Sequence, residues 1–246
     1  MTRMHVRVIG MRGNGLHALA VWLAPKLGRP HLFNNLMTVG PPWMERELSD
    51  PAYDQRFFSV ELGTGGGKSV LCLYEDVDPD RFSGDGLESD RRRFGLGMAE
   101  LNVCVVRDFP NMLASRLKKQ AGWSGKADLD TVRMWRRYAG ILRDGGRVGE
   151  LEVVPVLFNR WVVDAGYRDG LSSRMGLSGD EVGFGRVLNV GWEGSAFDGV
   201  RYDGRAWEMR LEERFRQYRD DGLFRSLMDP EALRLSEELF GRTWDF

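Results

Sequence analysis

The stretch from His5 to Ala24, HVRVIGMRGNGLHALAVWLA, constrains what this chain can fold into more than any other. Val6 and Val8 alternate with other residues, as in a strand with a buried face. A glycine-punctuated turn, Gly10-Met-Arg-Gly-Asn-Gly15, follows. Leu16, Leu19, Ala20 and Leu23 then recur at i, i+3, i+4, i+7, which predicts one buried face of a helix from Leu16 to about Leu23. Strand, glycine loop, helix is a layout in which unpaired N–H groups at a helix N-terminus meet an anion, helped by the helix dipole. The same pattern also occurs in strand-to-helix turns without a ligand, so the loop alone defines a candidate.

The frame Gly10-x-x-x-x-Gly15 is that of a nucleotide-triphosphatase phosphate loop, but Leu16 and His17 stand where that motif has Lys and Ser/Thr. Those two residues neutralise the β/γ-phosphates and hold Mg²⁺, so the expected ligand is an anion not handled as Mg-ATP. A second glycine run ends in Gly67-Lys68-Ser69, yet the position five before Gly67 is Leu62, and Val70–Tyr74 is β-rich where a phosphate loop needs a helix. Strand, glycine-rich turn, strand predicts a hairpin there. Its second strand ends in Glu75-Asp76, and strand C-terminal ends are where ligands sit in open α/β sheets.

At 246 residues the whole chain reads as one α/β domain. A formal net charge of -1 gives no case for nucleic acid or an acidic membrane. Cys72 and Cys104 lie in apolar runs and read as buried thiols of a reducing compartment; three scattered histidines and no CxxC or HExxH spacing predict no metal. MTRMHVRVIG has no apolar signal-peptide core, and no run approaches the ~20 apolar residues of a membrane span, so a soluble cytoplasmic protein is expected.

Along the chain, HLFNNL is a short extended segment, and residues 38–56 read as loop with a short helix near Trp43–Leu48. SDRRRF predicts a solvated helix start capped by Ser89. LNVCVV is a continuous apolar run, the mark of a strand buried on both faces. It ends at Arg107-Asp108, and Pro110, Met112, Leu113 and Leu117 then predict a helix containing Ser115. Residues 128–143 predict an amphipathic helix through Leu129, Val132, Trp135 and Leu142, capped by Asp128 or Asp130. LEVVPVLFNRW reads as a further strand, and WVVDAGYRDGLSSRMGL as a helix closed by Gly176. A glycine-rich aromatic loop follows, then helices over about 205–221 and over 230–240, the latter with Asp229 as N-cap, Pro230 at N1 and Gly241 after the end. Strands alternating with helices imply a mainly parallel sheet covered on both faces, a three-layer α/β/α architecture.

These segments together resemble the sulfotransferase family of the P-loop fold. GMRGNGLHAL is similar to that family's 5′-phosphosulfate loop, and VVRDFPNMLASRLK to its 3′-phosphate motif. FNN, YED, VLFNRWVVDAGYR and GSAFDG recur in the same order in a bacterial sulfotransferase-like branch. The resemblance implies 3′-phosphoadenosine 5′-phosphosulfate as sulfonate donor and no metal, while the aromatic residues Trp43, Tyr53, Phe82 and Trp123 suggest a small-molecule acceptor. The resemblance implies that Arg12, Gly13, Asn14, Gly15, Leu16 and His17 surround the 5′-phosphosulfate and that Arg107 and Ser115 hold the 3′-phosphate. Phe158–Trp161, with Asn159, and the loop Gly194–Gly199, with Ser195 and Phe197, would border the adenosine. Aligned on Gly15, the family's loop cation would fall at Gly13; here Arg12 stands one residue earlier, and Asn14 replaces the usual Ser.

Sulfonate transfer needs oriented donors on the leaving side and a general base on the acceptor side. Arg12 and the loop N–H groups are expected in the first role. The resemblance implies Glu75 as base, with Asp76 second and His17 third. Acceptor-pocket segments are expected at 36–56, 80–100 and 118–127, with Trp43, Tyr53, Phe82 and Trp123 as apolar lining. Two other readings stand beside this one: a P-loop kinase or NTPase built on Gly67-Lys68-Ser69, and a non-catalytic nucleotide-binding protein.

Overall fold

The computed structural model describes residues 3–28, 30–36, 69–92, 98–120, 127–178, 184–187 and 195–244, with backbone alone at 31, 34–36 and 120. Strand β1 (Met4–Gly10) turns through the glycine loop into α1 (Leu16–Lys26), and β2 (His31–Leu36) and β3 (Val70–Glu75) follow. Helix α2 (Gly84–Asp90) leads to β4 (Ala99–Val106), which enters α3 (Phe109–Gln120) and then α4 (Leu129–Arg143). A short antiparallel ribbon, β5 (Arg147–Val148) and β6 (Leu151–Glu152), precedes β7 (Val154–Leu157). Helices α5 (Phe158–Val163), α6 (Ala165–Arg174), α7 (Gly222–Ser226) and α8 (Pro230–Phe240) complete the described order.

The five-stranded sheet has the order β2-β3-β1-β4-β7, and every neighbouring pair is parallel. Period-two alternation divides it into two dry faces. Val6, Val8, Leu71, Leu73, Val103 and Val105 pack with Leu16, Leu19 and Leu23 of α1. Ile9, Cys72, Tyr74, Cys104 and Val106 pack on the other side with Met112 and Leu113 of α3, Trp135 of α4 and Leu235 of α8. This is the three-layer α/β/α architecture that the alternation of elements predicts. The register sets Gly10 beside Glu75 on one side and Val105 on the other. All the strand C-termini therefore open on one edge, and β1, where the strand order reverses, stands at its centre.

Several helix ends follow their sequence signals. Asp128 accepts from Thr131 N–H (2.9 Å) and Thr131 returns a contact in a capping box. Asp229 caps α8 through Ala232 N–H (2.8 Å), with Pro230 inside the start and Gly241 left-handed at the end. Other expectations are corrected. Strand β3 is flanked by β1 and β2, both parallel, so the sheet leaves no edge of β3 for a hairpin partner. LEVVPVLFNRW is not one strand: Leu151–Glu152 belongs to the ribbon, β7 ends at Leu157, and Phe158 already begins α5. The helix expected after Trp161 breaks at Asp164, whose carboxylate accepts from Tyr167 N–H (2.9 Å) and so starts α6. Helix α2 starts after Ser83 and encloses Ser89, because the buried Asp90 at its end is drawn to β1. Residues 205–221 form 3₁₀ turns at Ala206–Glu208 and Arg214–Tyr218, not one helix. Leu129 is exposed, and Phe82 is core, edge-on to Tyr74 at 5.1 Å, so it lines no pocket. Trp43, Tyr53, Trp123 and the helix expected near Trp43–Leu48 lie outside the described residues. Among the described residues, no helix is long and apolar enough to cross a membrane.

One face of β1 carries buried charge. Arg7 is fully buried and donates to Asp90 (2.5 Å), Asn102 (2.9 Å) and Glu100 (3.0 Å). Tyr74 Oη donates to the other Asp90 oxygen. Burial, reinforced by the charge of Arg7, pushes the neighbouring His5 imidazole from 6.5 down to about 3. Below pH 6.5 the unfolded chain takes up a proton at His5 that the folded chain refuses until about 3, so stability falls as pH falls through that window. We expect the denaturant midpoint to drop between pH 6.5 and pH 3, and His5→Phe to flatten that drop relative to the parent. An identical pH dependence in the variant would show that His5 does not carry it.

Candidate functional site

The site is built at the shared carboxyl edge of β3, β1 and β4. Gly13 and Gly15 adopt left-handed φ values of 91° and 93°, which glycine takes without steric penalty. Gly15 is the N-cap of α1, so the helix has no capping side chain, and no acidic residue lies in its first turn. The opening N–H groups of a helix have no partner within it, and here the sequence supplies none from a cap. Asn14 does not point into the loop's hollow: it is fully buried and its Nδ2 donates to the Val105 carbonyl (2.9 Å), tying the loop to β4. Phe158, the first residue of α5, lies directly under Gly15; a Cβ there would stand 2.1 Å from the ring.

At the β3 side, two carboxylates meet the loop. Asp76 is held at φ 58°, a left-handed conformation for a residue with a side chain. Its N–H donates to Gly10 O (3.0 Å), and its carboxylate accepts from Arg12 N–H (3.1 Å) and from Arg116 of α3 (2.6 Å). Strained residues of this kind persist where surroundings over-determine them, and they concentrate at functional sites. Glu75 is buried between Arg12 Nε at 3.4 Å and His17 Nδ1 at 3.6 Å. Arg12, Glu75, Asp76 and His17 thus converge, as the strand end and the loop suggested.

At the β4 side, Arg107 is buried and reaches back to Gly13 O (3.3 Å) and to Ser115 Oγ (3.1 Å). It also donates to the Leu211 carbonyl. A second guanidinium, Arg214, approaches the same Ser115 oxygen (3.5 Å) and binds Ser195 Oγ (2.7 Å) and Asp198 (2.8 Å). Phe197 packs its ring 4.9 Å from the Arg214 guanidinium. Burial, with the like charge of Arg214, pushes Arg107 down to about 9, against the opposing pull of Asp108. Burial also lowers Arg214, against the pull of Asp198. Arg107 Nε is buried and makes no hydrogen bond among the described residues, although the Asp108 carboxylate lies 4.0 Å from it. Two buried cations around one hydroxyl, with a donor to spare, suit an anion of phosphate type.

Asn159 is engaged elsewhere: its amide spans Asp108, donating to the carboxylate (2.5 Å) and accepting from the backbone N–H (3.2 Å). Asp108 and Asn111 together hold Phe215 N–H and Glu212 O, which is how the 3₁₀ segment carrying Arg214 is docked. Arg214 and Arg116 were not anticipated. Arg214 lies inside the 205–221 stretch expected as one helix, with no motif that marks it as a site residue. Ser69, the end of the second glycine run, accepts from Met4 N–H (3.1 Å) at the amino edge of the sheet, opposite the site. That placement removes the support for a phosphate loop there; Gly67 and Lys68 lie outside the described residues.

The chain is similar in structure to the sulfotransferase domain of the olefin synthase from Synechococcus PCC 7002, with a TM-score of 0.52 at 17% identity over 99% of this chain and 96% of that one. The fold is sulfotransferase-like. No protein-family model matches the sequence, and no curated protein matches it.

A side chain at Gly15 would have to displace Phe158 and adopt a left-handed backbone, which by itself costs about 1–2 kcal/mol. Gly15→Ala is therefore expected to lower the unfolding free energy by at least that amount in urea titration, and by less in a Phe158→Ala background. Additive effects of the two substitutions would contradict the packing of the loop on Phe158.

Proposed function

We propose that this protein transfers a sulfonate group from 3′-phosphoadenosine 5′-phosphosulfate to a hydroxyl or amine of a small-molecule acceptor. The observation that carries the reading is the pair Arg107 and Arg214 buried around Ser115, in direct contact with the phosphate-type loop through Gly13 O. A donor with phosphate at both ends of a nucleoside needs two anion sites a short distance apart, and this reading assigns both to the carboxyl edge of the sheet. The first-turn N–H groups at Gly15, Leu16 and His17 would hold the 5′ end, while Arg107, Ser115, Arg214 and Ser195 would hold the 3′-phosphate. Charge there is met by guanidinium groups and backbone dipoles in place of a metal.

In this reading the leaving-side donors are the loop N–H groups, which would stabilise charge on the departing phosphate oxygen, while Arg12, against Glu75 and Asp76, would balance the carboxylates beside them. Phe158 and Phe197 supply apolar surface beside the two anion sites. Asp76, occupied by Arg12 N–H and Arg116, serves as the loop's anchor. Cys72 and Cys104, both fully buried, would suit a reducing, cytoplasmic setting.

Calorimetry with adenosine 3′,5′-bisphosphate and with adenosine 5′-monophosphate, without Mg²⁺, tests the assignment. Hydrogen bonds to charged groups contribute about 1.5–3 kcal/mol, so Arg107→Ala or Arg214→Ala should weaken the bisphosphate about 10- to 100-fold. The monophosphate should be much less affected. Equal affinity of the parent protein for both nucleotides would sink the 3′-phosphate site.

A further inference from the structure

Arg214 and Ser195, the two C-terminal groups assigned to the 3′-phosphate, are both closed onto one carboxylate oxygen. Asp198 Oδ2 accepts from Arg214 Nη2 at 2.8 Å and from Ser195 Oγ at 3.0 Å. Arg214 Nη2 also donates to Ser195 Oγ (2.7 Å), so the three groups close a triangle. A serine hydroxyl carries a single proton, and here it is spent on Asp198. The turn that brings the carboxylate there is short. Ser195 and Gly199 exchange backbone hydrogen bonds of 2.9 and 3.0 Å, and the N–H groups of Phe197 (3.4 Å) and Asp198 (3.3 Å) donate to Ser195 Oγ. The two charged partners are held unequally. The Arg214 side chain is 7% exposed, and its segment is docked from behind by the bond from Phe215 N–H to Asn111 (3.0 Å). The Asp198 side chain is 24% exposed, and among the described residues its carboxylate has only Arg214 and Ser195 as donors. Asp108 on the Arg107 side differs: it is fully buried and accepts from Asn111 N–H, Asn111 Nδ2 and Asn159 Nδ2. A carboxylate at the rim regains hydration when it leaves its partner, whereas one enclosed on every side does not.

The geometry points to Asp198 as an internal competitor for the 3′-phosphate, a carboxylate that closes Arg214 and Ser195 in the empty site and is exchanged for the nucleotide's phosphate. The inference rests on the sulfonate-transfer reading and adds an exchange step to it. A phosphate oxygen takes over the hydrogen bonds of Arg214 Nη2 and of the Ser195 hydroxyl, and the Asp198 carboxylate turns to solvent. No covalent bond changes in this step. The 3′-phosphate is present on the donor before sulfonate transfer and on the bisphosphate after it. The same exchange therefore runs backwards as the product leaves, with Asp198 closing on Arg214 again. Buried guanidinium groups around one serine would otherwise retain the bisphosphate, and release of product is a step that limits turnover in many enzymes. Asp198 thus lowers the affinity of the 3′ site and shortens the stay of the product.

Calorimetry and stopped-flow displacement with adenosine 3′,5′-bisphosphate test the exchange. Asp198→Asn keeps the side chain's shape and removes its charge. It should bind the bisphosphate about 10-fold or more tighter than the parent, the weight of one charge-assisted hydrogen bond, and release it correspondingly more slowly. Adenosine 5′-monophosphate, which brings nothing to the 3′ site, should bind both proteins alike. In an Arg214→Ala background, Asp198→Asn should no longer tighten the bisphosphate, because the carboxylate then covers no cation. Asp198→Ser, shorter and also neutral, carries the same expectations should the amide variant fail to fold by far-ultraviolet circular dichroism. Unchanged or weaker bisphosphate binding in the neutral variant would show that Asp198 only orients Arg214, and would overturn the proposal. Equal tightening in the Arg214→Ala background would overturn it too, since the effect would then be the general repulsion of a nearby negative charge. Binding of the bisphosphate by neither the parent nor the neutral variant would overturn the sulfonate-transfer reading itself, and this inference with it.

Discussion

Parallel pairing of β1 with both β3 and β4 is the constraint from which the rest of the site follows. Because the three strands run the same way, Gly10, Glu75 and Val105 stand side by side at one edge. Whatever follows each strand must then share a small volume: the glycine loop after β1, Asp76 after β3, Arg107 after β4. A one-residue slip in either pairing would reverse the faces of every side chain in that strand. It would also detach Asn14 from Val105 and Asp76 from the loop. The apolar alternation on both faces therefore does more than build a core, since it also fixes the relative heights of the groups at the edge.

Charge at that edge is arranged in two unlike halves. Beside β3, carboxylates and cations are matched: Asp76 with Arg116, Glu75 with Arg12 and His17. Beside β4, Arg107 and Arg214 lie buried around one serine, and burial lowers both. Isolated buried charge is expensive, and here Asp198 answers Arg214 at 2.8 Å while Asp108 stands 4.0 Å from Arg107 Nε. The docking of the 3₁₀ segment by Asp108 and Asn111 shows how much local structure is committed to holding Arg214 in place. Anion binding would thus tie the C-terminal part of the chain to the glycine loop.

Much of this was legible in the residues. The run from Val6 to Leu23 carried strand, loop and helix in order, because glycines at 13 and 15 have a conformational reason and the leucines a periodic one. The family resemblance named Arg107 and Ser115 together, and their side chains meet. Helix α8 was legible from its caps. What was hidden has a common cause: tertiary contacts that reverse the usual meaning of polar residues. Arg7 and His5 occupy strand positions where polar residues ordinarily face water, yet both are fully buried against α2 and its neighbours. Arg214 sits in a charge-rich stretch expected as one helix, but Asn111 and Ser195 hold it inward as a 3₁₀ turn. Asn159, placed beside a nucleotide by the family resemblance, is consumed in joining β4 to α5 through Asp108.

The one-residue displacement of the loop cation acquires a physical meaning from this arrangement. A cation at position 13 would stand where φ is 91° and where a Cβ would meet the Met112 carbonyl at 3.1 Å. With glycine there, the cation at position 12 is caught from three sides. Asp76 takes its N–H, Arg116 reaches its carbonyl, and its guanidinium lies against Glu75 and Asp76. Arg12 is therefore held toward β3, as the counter-ion of the carboxylate that faces His17. The loop hollow is left to backbone N–H groups and to Arg107 behind Gly13. Under the proposed reading, moving the cation by one residue would separate two tasks that a single side chain over the loop would combine: neutralising the carboxylate edge, and receiving the anion.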